Sequence, residues 1–132
     1  RPWQHVLDVI NGYILLAQII SKTKKFNGES FNFGPEKNSI KTVKELCKIF
    51  KSFWIGPSQI HIKNKKKFLE TRTLVLSITK AKKFLGWKPF LNLNRNLNLT
   101  ANWYYKYYEN FDVFNIYMDQ IKYFKNLCKI KK

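Results

Sequence analysis

Residues 77–89, SITKAKKFLGWKP, predict a short helix that is marked at both ends. Ser77 or Thr79 can cap its start, because a hydroxyl oxygen accepts a hydrogen bond from an N–H of the first turn. Gly86 can end the helix in the left-handed conformation, and Pro89 cannot continue it. Trp87 follows the glycine, where a large apolar side chain can fold back over the helix. We therefore expect a rigid helix and turn that positions the segments on either side.

The front of the chain predicts a strand followed by a helix. Residues 1–6 include Trp, His and Val, which suit a half-buried strand. Asp8 can cap the helix that follows. Apolar side chains between residues 10 and 20 occupy more than one face of that helix, so it should be buried on most sides. We therefore expect it to pack against polypeptide that lies outside residues 1–132.

The remaining elements are mostly helical. Thr42 and Glu45 have the spacing of a capping box, and the helix behind them should end before Gly56. Periodicity predicts a helix from about residue 94 to 108 and another from about 113 to 130. The last helix should turn these side chains inward: Phe114, Tyr117, Met118, Ile121, Phe124 and Cys128. Brief strands are predicted at residues 31–33, 59–62 and 73–76, with a lysine-rich loop at residues 64–67.

Length, composition and charge limit the classes of protein to which this chain can belong. The chain has 132 residues, enough for one modest domain, and its 45% hydrophobic content argues against disorder. Its net charge of +17 is typical of proteins that bind polyanions. Lysine outnumbers arginine by 22 to 3, however, whereas bidentate recognition of bases and phosphates favours arginine. An A/T-rich coding sequence explains the lysine content more simply.

Several kinds of site are not indicated. The two cysteines have no metal-ligand spacing, and two histidines are too few for a histidine cluster, so no metal site is expected. The apolar run between residues 9 and 20 is shorter than a membrane span. We expect a cytoplasmic protein that has reduced thiols and does not enter a membrane. Since the only methionine is Met118, we also expect the sequence to be a piece of a longer protein.

Motifs at the front, middle and end carry a resemblance to a known family. The front has RPWQHV at residues 1–6 and FNFG at 31–34, and the rear has LGWKP at 85–89. Thr100, Trp103-Tyr104 and the stretch 119–123 extend the pattern. This combination resembles the C-terminal portion of extended short-chain dehydrogenases/reductases that act on nucleotide sugars, and within them the CDP-glucose 4,6-dehydratases. The resemblance covers nearly the whole chain.

The resemblance implies an α/β fold class. Residues 1–132 would form a single C-terminal, substrate-binding region of a Rossmann-type enzyme, mainly helical with a few short strands. The N-terminal Rossmann domain that binds NAD would lie outside the sequence and be its partner. The intact enzyme would form a homodimer and bind CDP-glucose. It would oxidise the sugar at C4, remove water across C5 and C6, and return the hydride to C6, which gives the 4-keto-6-deoxy sugar.

The resemblance also implies substrate-binding residues. Arg1 matches an arginine near the nucleotide phosphates, although a solvated position is an equal alternative. Glu70 matches an acidic residue near the nucleotide. The side chains of Trp3, Gln4 and His5 would form a pocket wall, with a packing role equally open. No catalytic residue is predicted in this chain.

The chain departs from the family pattern at several positions. Ser77 replaces a usual aspartate, and Leu69 replaces a usual histidine or lysine. The five glycines never fall three apart, so the glycine fingerprint that binds NAD is missing. No tyrosine is followed by a lysine four residues on. We therefore expect no NAD binding or dehydratase activity from these residues alone.

Two functions other than that of an enzyme portion remain open. The first is a small basic module that binds nucleic acid, for which charge alone would give only nonspecific association. The second is an inactive remnant of an enzyme.

Overall fold

The computed structural model describes residues 1–63 and 74–130. Within these ranges the chain forms five α-helices: α1 Val6–Ile20, α2 Val43–Phe53, α3 Thr79–Leu85, α4 Leu93–Tyr108 and α5 Val113–Ile130. Two short 3₁₀ turns, Lys24–Phe26 and Lys37–Ser39, lie between α1 and α2. The mainly helical character expected from the sequence is confirmed.

The predicted strands do not form in the described residues. Residues 1–6 contribute one isolated antiparallel bridge, between Pro2 and Ile40, and residues 31–33, 59–62 and 74–76 are irregular. The strand predictions are therefore wrong there, because a strand is stable only beside a partner strand and the described chain offers no such pairing for these segments. Thr73 and the loop predicted at residues 64–67 lie outside the described residues.

The helix predicted within residues 77–89 is α3. It ends as expected at Gly86, whose φ of 64° is left-handed. The N–H groups of Gly86 and Trp87 both donate to the carbonyl of Ala81. This turn folds the indole of Trp87 back into the core, where only 1% of the residue remains exposed.

The predicted caps of two helices are wrong. Ile78 occupies the capping position of α3 and gives no side-chain cap, while the Ser77 hydroxyl donates to Thr79. His5, not Asp8, caps α1: its Nδ1 accepts the N–H of Leu7 at 3.3 Å. The helix therefore begins at Val6, which places Asp8 inside the first turn. The capping box of α2 is confirmed, with Glu45 Oε2 accepting the N–H of Thr42 at 2.8 Å.

Asp8 instead joins two parts of the core. Its carboxylate accepts the N–H groups of Phe90 at 2.7 Å and of Leu91 at 3.2 Å, and its carbonyl accepts the indole N–H of Trp87 at 3.3 Å. Asp8 is 1% exposed. It thereby connects α1 to the segment between α3 and α4, and this segment joins two buried clusters. One cluster comprises Phe26, Phe33, Ile78, Ala81, Leu85 and Trp87; the other comprises Leu91, Phe124 and Leu127.

The inward face predicted for α5 is partly wrong. Phe124 is buried as expected, but Phe114 and Tyr117 are exposed, and Ile116 and Leu127 are buried in addition. Apolar residues occur on more than one side of this helix, so periodicity alone leaves its orientation open. Packing against α4 sets which side faces inward.

Candidate binding cavity

A cavity of about 540 Å³ lies where the start of α1 meets α4 and α5. The residues that line it are Gln4, His5, Val6, Leu7, Ile10, Asn96, Thr100, Trp103, Tyr104, Tyr117, Gln120 and Ile121. None of these side chains is acidic, and none is lysine or arginine. The wall is mostly aromatic and aliphatic, and its polar groups include three amides, one imidazole and the three hydroxyls of Thr100, Tyr104 and Tyr117. A cavity of this size and composition is typical of binding sites.

Two buried side-chain donors at the wall have no acceptor in the described part of the chain. They are the amide nitrogen Nε2 of Gln4 and the indole nitrogen Nε1 of Trp103. A buried donor without a partner costs about 1–3 kcal/mol, and most buried donors in native proteins are paired. Both residues line the same cavity.

His5 is a neutral, structural member of the wall. The residue is 7% exposed, and burial lowers the pKa of its imidazole below the usual 6.5. Because Nδ1 accepts the N–H of Leu7, the proton of the neutral ring lies on Nε2. The imidazole therefore supplies a cap for α1 and adds no charge to the cavity.

The opposite wall is held in place by packing and by hydrogen bonds. The ring of Trp103 stacks on Tyr107 with centroids 5.2 Å apart and planes at 9°. On α4, the hydroxyl of Thr100 donates to the carbonyl of Asn96 at 2.9 Å. Gln120 on α5 donates its amide to the carbonyl of Leu99 at 2.8 Å, which ties α5 to α4. The position of the unpaired indole is thus fixed by its neighbours.

The structure separates the residues that the motifs grouped together. Gln4 and His5 line the cavity, whereas Arg1 and Trp3 do not. Arg1 is exposed, and its carbonyl accepts the N–H of Lys41 at 3.2 Å. Trp3 donates its indole N–H to the carbonyl of Lys41 at 2.9 Å. Glu70 lies outside the described residues.

Sequence reasoning missed the distant side of the cavity. Thr100, Trp103 and Tyr104 belong to the motif pattern of the resemblance, but no site role was predicted for them. Asn96 and Gln120 gave no signal at all, because their relation to Gln4 arises from long-range packing. The aromatic side chains of residues 103–108 differ in burial: Trp103 is partly buried, whereas Tyr104, Tyr107 and Tyr108 are 44–66% exposed.

The described ranges lack the features of a metal site and of a membrane span. Residues 1–63 and 74–130 contain no group of three or more histidine, cysteine or acidic side chains that could hold a metal ion. Cys47 and Cys128 are both partly buried. Among the helices described above, none is long and apolar enough to cross a membrane.

Comparison with known proteins gives one clear relationship. No protein-family model matches the chain. A curated relative, the CDP-glucose 4,6-dehydratase of Salmonella typhimurium, is 33% identical over 105 residues. The match covers 79% of this chain but only 29% of that enzyme, so the chain spans less than a third of the relative's length. The resemblance predicted from the motifs is therefore confirmed: over most of its length the chain is similar to a CDP-glucose 4,6-dehydratase, and the match is consistent with a C-terminal portion of such an enzyme.

Proposed function

We propose that the chain is the C-terminal, substrate-binding portion of a CDP-glucose 4,6-dehydratase-like enzyme. The observation that carries the proposal is the 33% identity to the Salmonella enzyme over 79% of the chain. The intact protein would convert a nucleotide-activated glucose to its 4-keto-6-deoxy form in the cytoplasm, with CDP-glucose as the expected substrate. These 132 residues would contribute to sugar-nucleotide binding.

NAD does not fit the residues of this chain. A turn that holds the diphosphate of NAD needs closely spaced glycines at the start of a helix. Here Gly12 lies inside α1 against the ring of Phe33, Gly86 ends α3, and Gly28, Gly34 and Gly56 are at least six residues apart and none of them starts a helix. The proposal therefore assigns NAD to a Rossmann domain upstream of Arg1.

The proposed contact of this chain with substrate is electrostatic. The exposed Arg1 would bind the diphosphate, since a guanidinium forms paired hydrogen bonds with phosphate oxygens. Its neighbour Trp3 is anchored to Lys41, so the backbone that carries Arg1 has a defined position. Glu70 would contact the nucleotide, as the motif suggests.

The test uses the longer protein encoded by the reading frame that runs into the Arg1 codon. We expect CDP-glucose to bind more tightly than dTDP-glucose or a GDP-sugar. Charge-assisted hydrogen bonds are worth roughly 1.5–3 kcal/mol, so Arg1→Ala should weaken CDP-glucose binding about 10- to 150-fold. Arg1→Lys should recover only part of the loss, because an ammonium keeps the charge but not the planar fork.

Arg95→Ala is the matched control, since Arg95 is also exposed but lies on α4 outside the motif. It should bind CDP-glucose like the wild type, and all variants should bind NAD equally. Circular dichroism checks that each variant is folded. The proposal fails if the longer protein binds no sugar nucleotide, and the assignment to Arg1 fails if Arg1→Ala binds as tightly as Arg95→Ala.

A further inference from the structure

A second cavity, of about 310 Å³, lies beside α2 and the segment that follows it. The residues that line it are Leu46, Cys47, Phe50, Lys51, Trp54, Ser58, Gln59 and Ile60. Within this lining the rings of Phe50 and Trp54 are stacked, with centroids 6.0 Å apart and planes at 28°. Lys51 is exposed and lines the same cavity. The cavity thus combines aromatic rings with a positive charge.

The aromatic surface continues from this cavity onto α4. Tyr108 packs edge-on against Trp54 at 6.4 Å between centroids, and Tyr104 stacks on Tyr108 at 6.4 Å with planes at 26°. Tyr108 is 66% exposed and Tyr104 is 44% exposed. We call Phe50, Trp54, Tyr104 and Tyr108 the aromatic row. Because its two tyrosine rings are exposed, they can stack with a planar partner from outside the chain.

Lysines of α2 run beside the aromatic row. Lys44, Lys48 and Lys51 are spaced four and three residues apart, so they share one face of the helix, and all three are exposed. None of them belongs to an ion pair in the described part of the chain. The acidic residue of this helix, Glu45, is engaged with Thr42 in the capping box. Codon usage can set how many lysines a chain has, but it does not place them on one face beside exposed rings.

This arrangement of rings and lysines matches a single strand of nucleic acid. Proteins bind single strands with a basic surface that tracks the phosphates and with aromatic side chains that stack on successive bases. A duplex hides the faces of its bases, and an acidic peptide without aromatic residues has no planar face to offer. Charge alone would attract all of these polyanions, whereas the exposed rings favour the single strand.

We propose that this surface binds single-stranded nucleic acid, with bases stacked on Tyr104 and Tyr108 and phosphates held by the three lysines of α2. The cavity beside Trp54 takes a further base at one end of the row. Lysine holds phosphate as a point charge and every base has a face that can stack, so binding tolerates many sequences. This activity is separate from sugar-nucleotide binding, because the surface shares no residue with the motif at residues 1–6.

The experiment measures fluorescence anisotropy of a labelled oligothymidine strand of about 12 nucleotides, a length within the usual site sizes, with the 132-residue chain. A duplex of the same length is measured in parallel. At about 200 mM salt, charge alone retains little affinity. We expect the single strand to bind at least about tenfold more tightly than the duplex there, because only the single strand can stack on the two tyrosines.

Tyr108→Ala removes one stacking ring and should weaken binding of the single strand about fivefold or more, which is the lower end of the effect of one stacked base. Tyr108→Phe keeps the ring and should bind like the wild type. Tyr13→Ala is the matched control, because Tyr13 is 60% exposed on α1 and lies outside the aromatic row. It should leave the affinity unchanged, and circular dichroism checks that each variant is folded.

The lysines are tested by the dependence of affinity on salt. Lys51→Gln removes one phosphate contact, so the slope of log K against log salt for the single strand should decrease in magnitude by about 0.7. Lys125→Gln is its control, since Lys125 is exposed on α5 and lies outside the surface. This variant should keep the slope of the wild type.

Three results would overturn the inference. Equal affinity for the single strand and the duplex at about 200 mM salt would leave charge as the cause of binding. Equal affinity of Tyr108→Ala and Tyr13→Ala for the single strand would remove the stacking role of the row. Displacement of the strand by poly-glutamate as effectively as by unlabelled strand, at equal charge, would assign the surface to acidic polymers in general.

Discussion

At the scale of single residues, Asp8 shows why a local pattern can be assigned to the wrong partner. An aspartate near the start of a helix usually caps it. Here the carboxylate accepts N–H groups from Phe90 and Leu91, 82 and 83 residues further along the chain. Nothing in the sequence around Asp8 reports that contact, because it depends on the packing of α1 against the segment after α3.

The buried position of Asp8 predicts a large effect on stability. Asp8→Ala would leave two backbone donors without this acceptor, so we expect a loss of about 2–4 kcal/mol in the free energy of unfolding. Asp8→Asn keeps one acceptor oxygen and should lose about half as much. The measurement is urea unfolding of the 132-residue chain followed by circular dichroism.

Asp112 provides the matched control for Asp8. It also accepts two backbone N–H groups, those of Phe114 and Asn115, but it is exposed at the start of α5. Asp112→Ala should cost only about 1 kcal/mol, as for an ordinary helix cap. Equal losses for Asp8→Ala and Asp112→Ala would contradict the role assigned to Asp8.

His5 predicts a dependence of stability on pH. Burial lowers the pKa of the folded imidazole below 6.5, so the unfolded chain binds the proton more readily. The contribution of His5 to the free energy of unfolding should therefore be fully present above about pH 6.5. It should be lost as the pH falls from there through the pKa that His5 has in the folded chain. His5→Asn keeps a capping oxygen but does not titrate, and its stability should be flat between about pH 6.5 and pH 5.

The control for His5 is the other histidine, His61, which is exposed. Unfolding of wild type, His5→Asn and His61→Gln is measured at several pH values in that window. His61→Gln should keep the slope of the wild type. The same slope in His5→Asn would show that another group is responsible.

At the scale of elements, the helices could be predicted and the strands could not. The capping box of Thr42 and Glu45 and the left-handed Gly86 act within a few residues, so the sequence reports them directly. A strand requires a second strand that the local sequence does not reveal. The cavity could not be predicted in the same way: Gln4, His5 and Trp103 all belong to the motif pattern, but only the tertiary structure brings Trp103 to the same cavity as Gln4 and His5.

The contact between α1 and Phe33 gives a prediction about helix packing. A Cβ added to Gly12 would lie 2.4 Å from the ring of Phe33, which also packs edge-on against Trp87 at 5.0 Å between centroids. Helix propensity favours alanine over glycine by about 1 kcal/mol, but crowding a packed core costs about 1–3 kcal/mol. Since the ring is buried and packs against both Tyr13 and Trp87, we expect Gly12→Ala to lower the free energy of unfolding.

A double-mutant cycle separates the two effects. Phe33→Leu alone should be destabilising, because it removes buried ring contacts. In that background Gly12→Ala should become neutral or stabilising, since space has been made and the propensity gain remains. The result would contradict this packing if Gly12→Ala were equally unfavourable with Phe33 and with Leu at that position.

At the scale of the whole molecule, net charge is the property that the fold explains least. The sequence carries 25 basic and 8 acidic residues. The described ion pairs are few and partly exposed: Lys80–Glu29 and Lys82–Glu36 at 2.6 Å, and Lys106–Asp119 at 3.6 Å. Most of the positive charge therefore has no acidic side chain to neutralise it, yet the cavity contains none of it.

This distribution predicts charge-driven association without specificity. The 132-residue chain should bind DNA with Kd values of about 1–100 µM and lose most of that affinity between about 50 and 200 mM salt, as counterion release requires. Lysine-rich surfaces form few bidentate contacts with bases, so two unrelated duplexes should bind equally. Fluorescence anisotropy with both duplexes, and competition by poly-glutamate, measures this. A preference for one duplex of more than about tenfold that persists at high salt would instead favour a module that recognises nucleic acid.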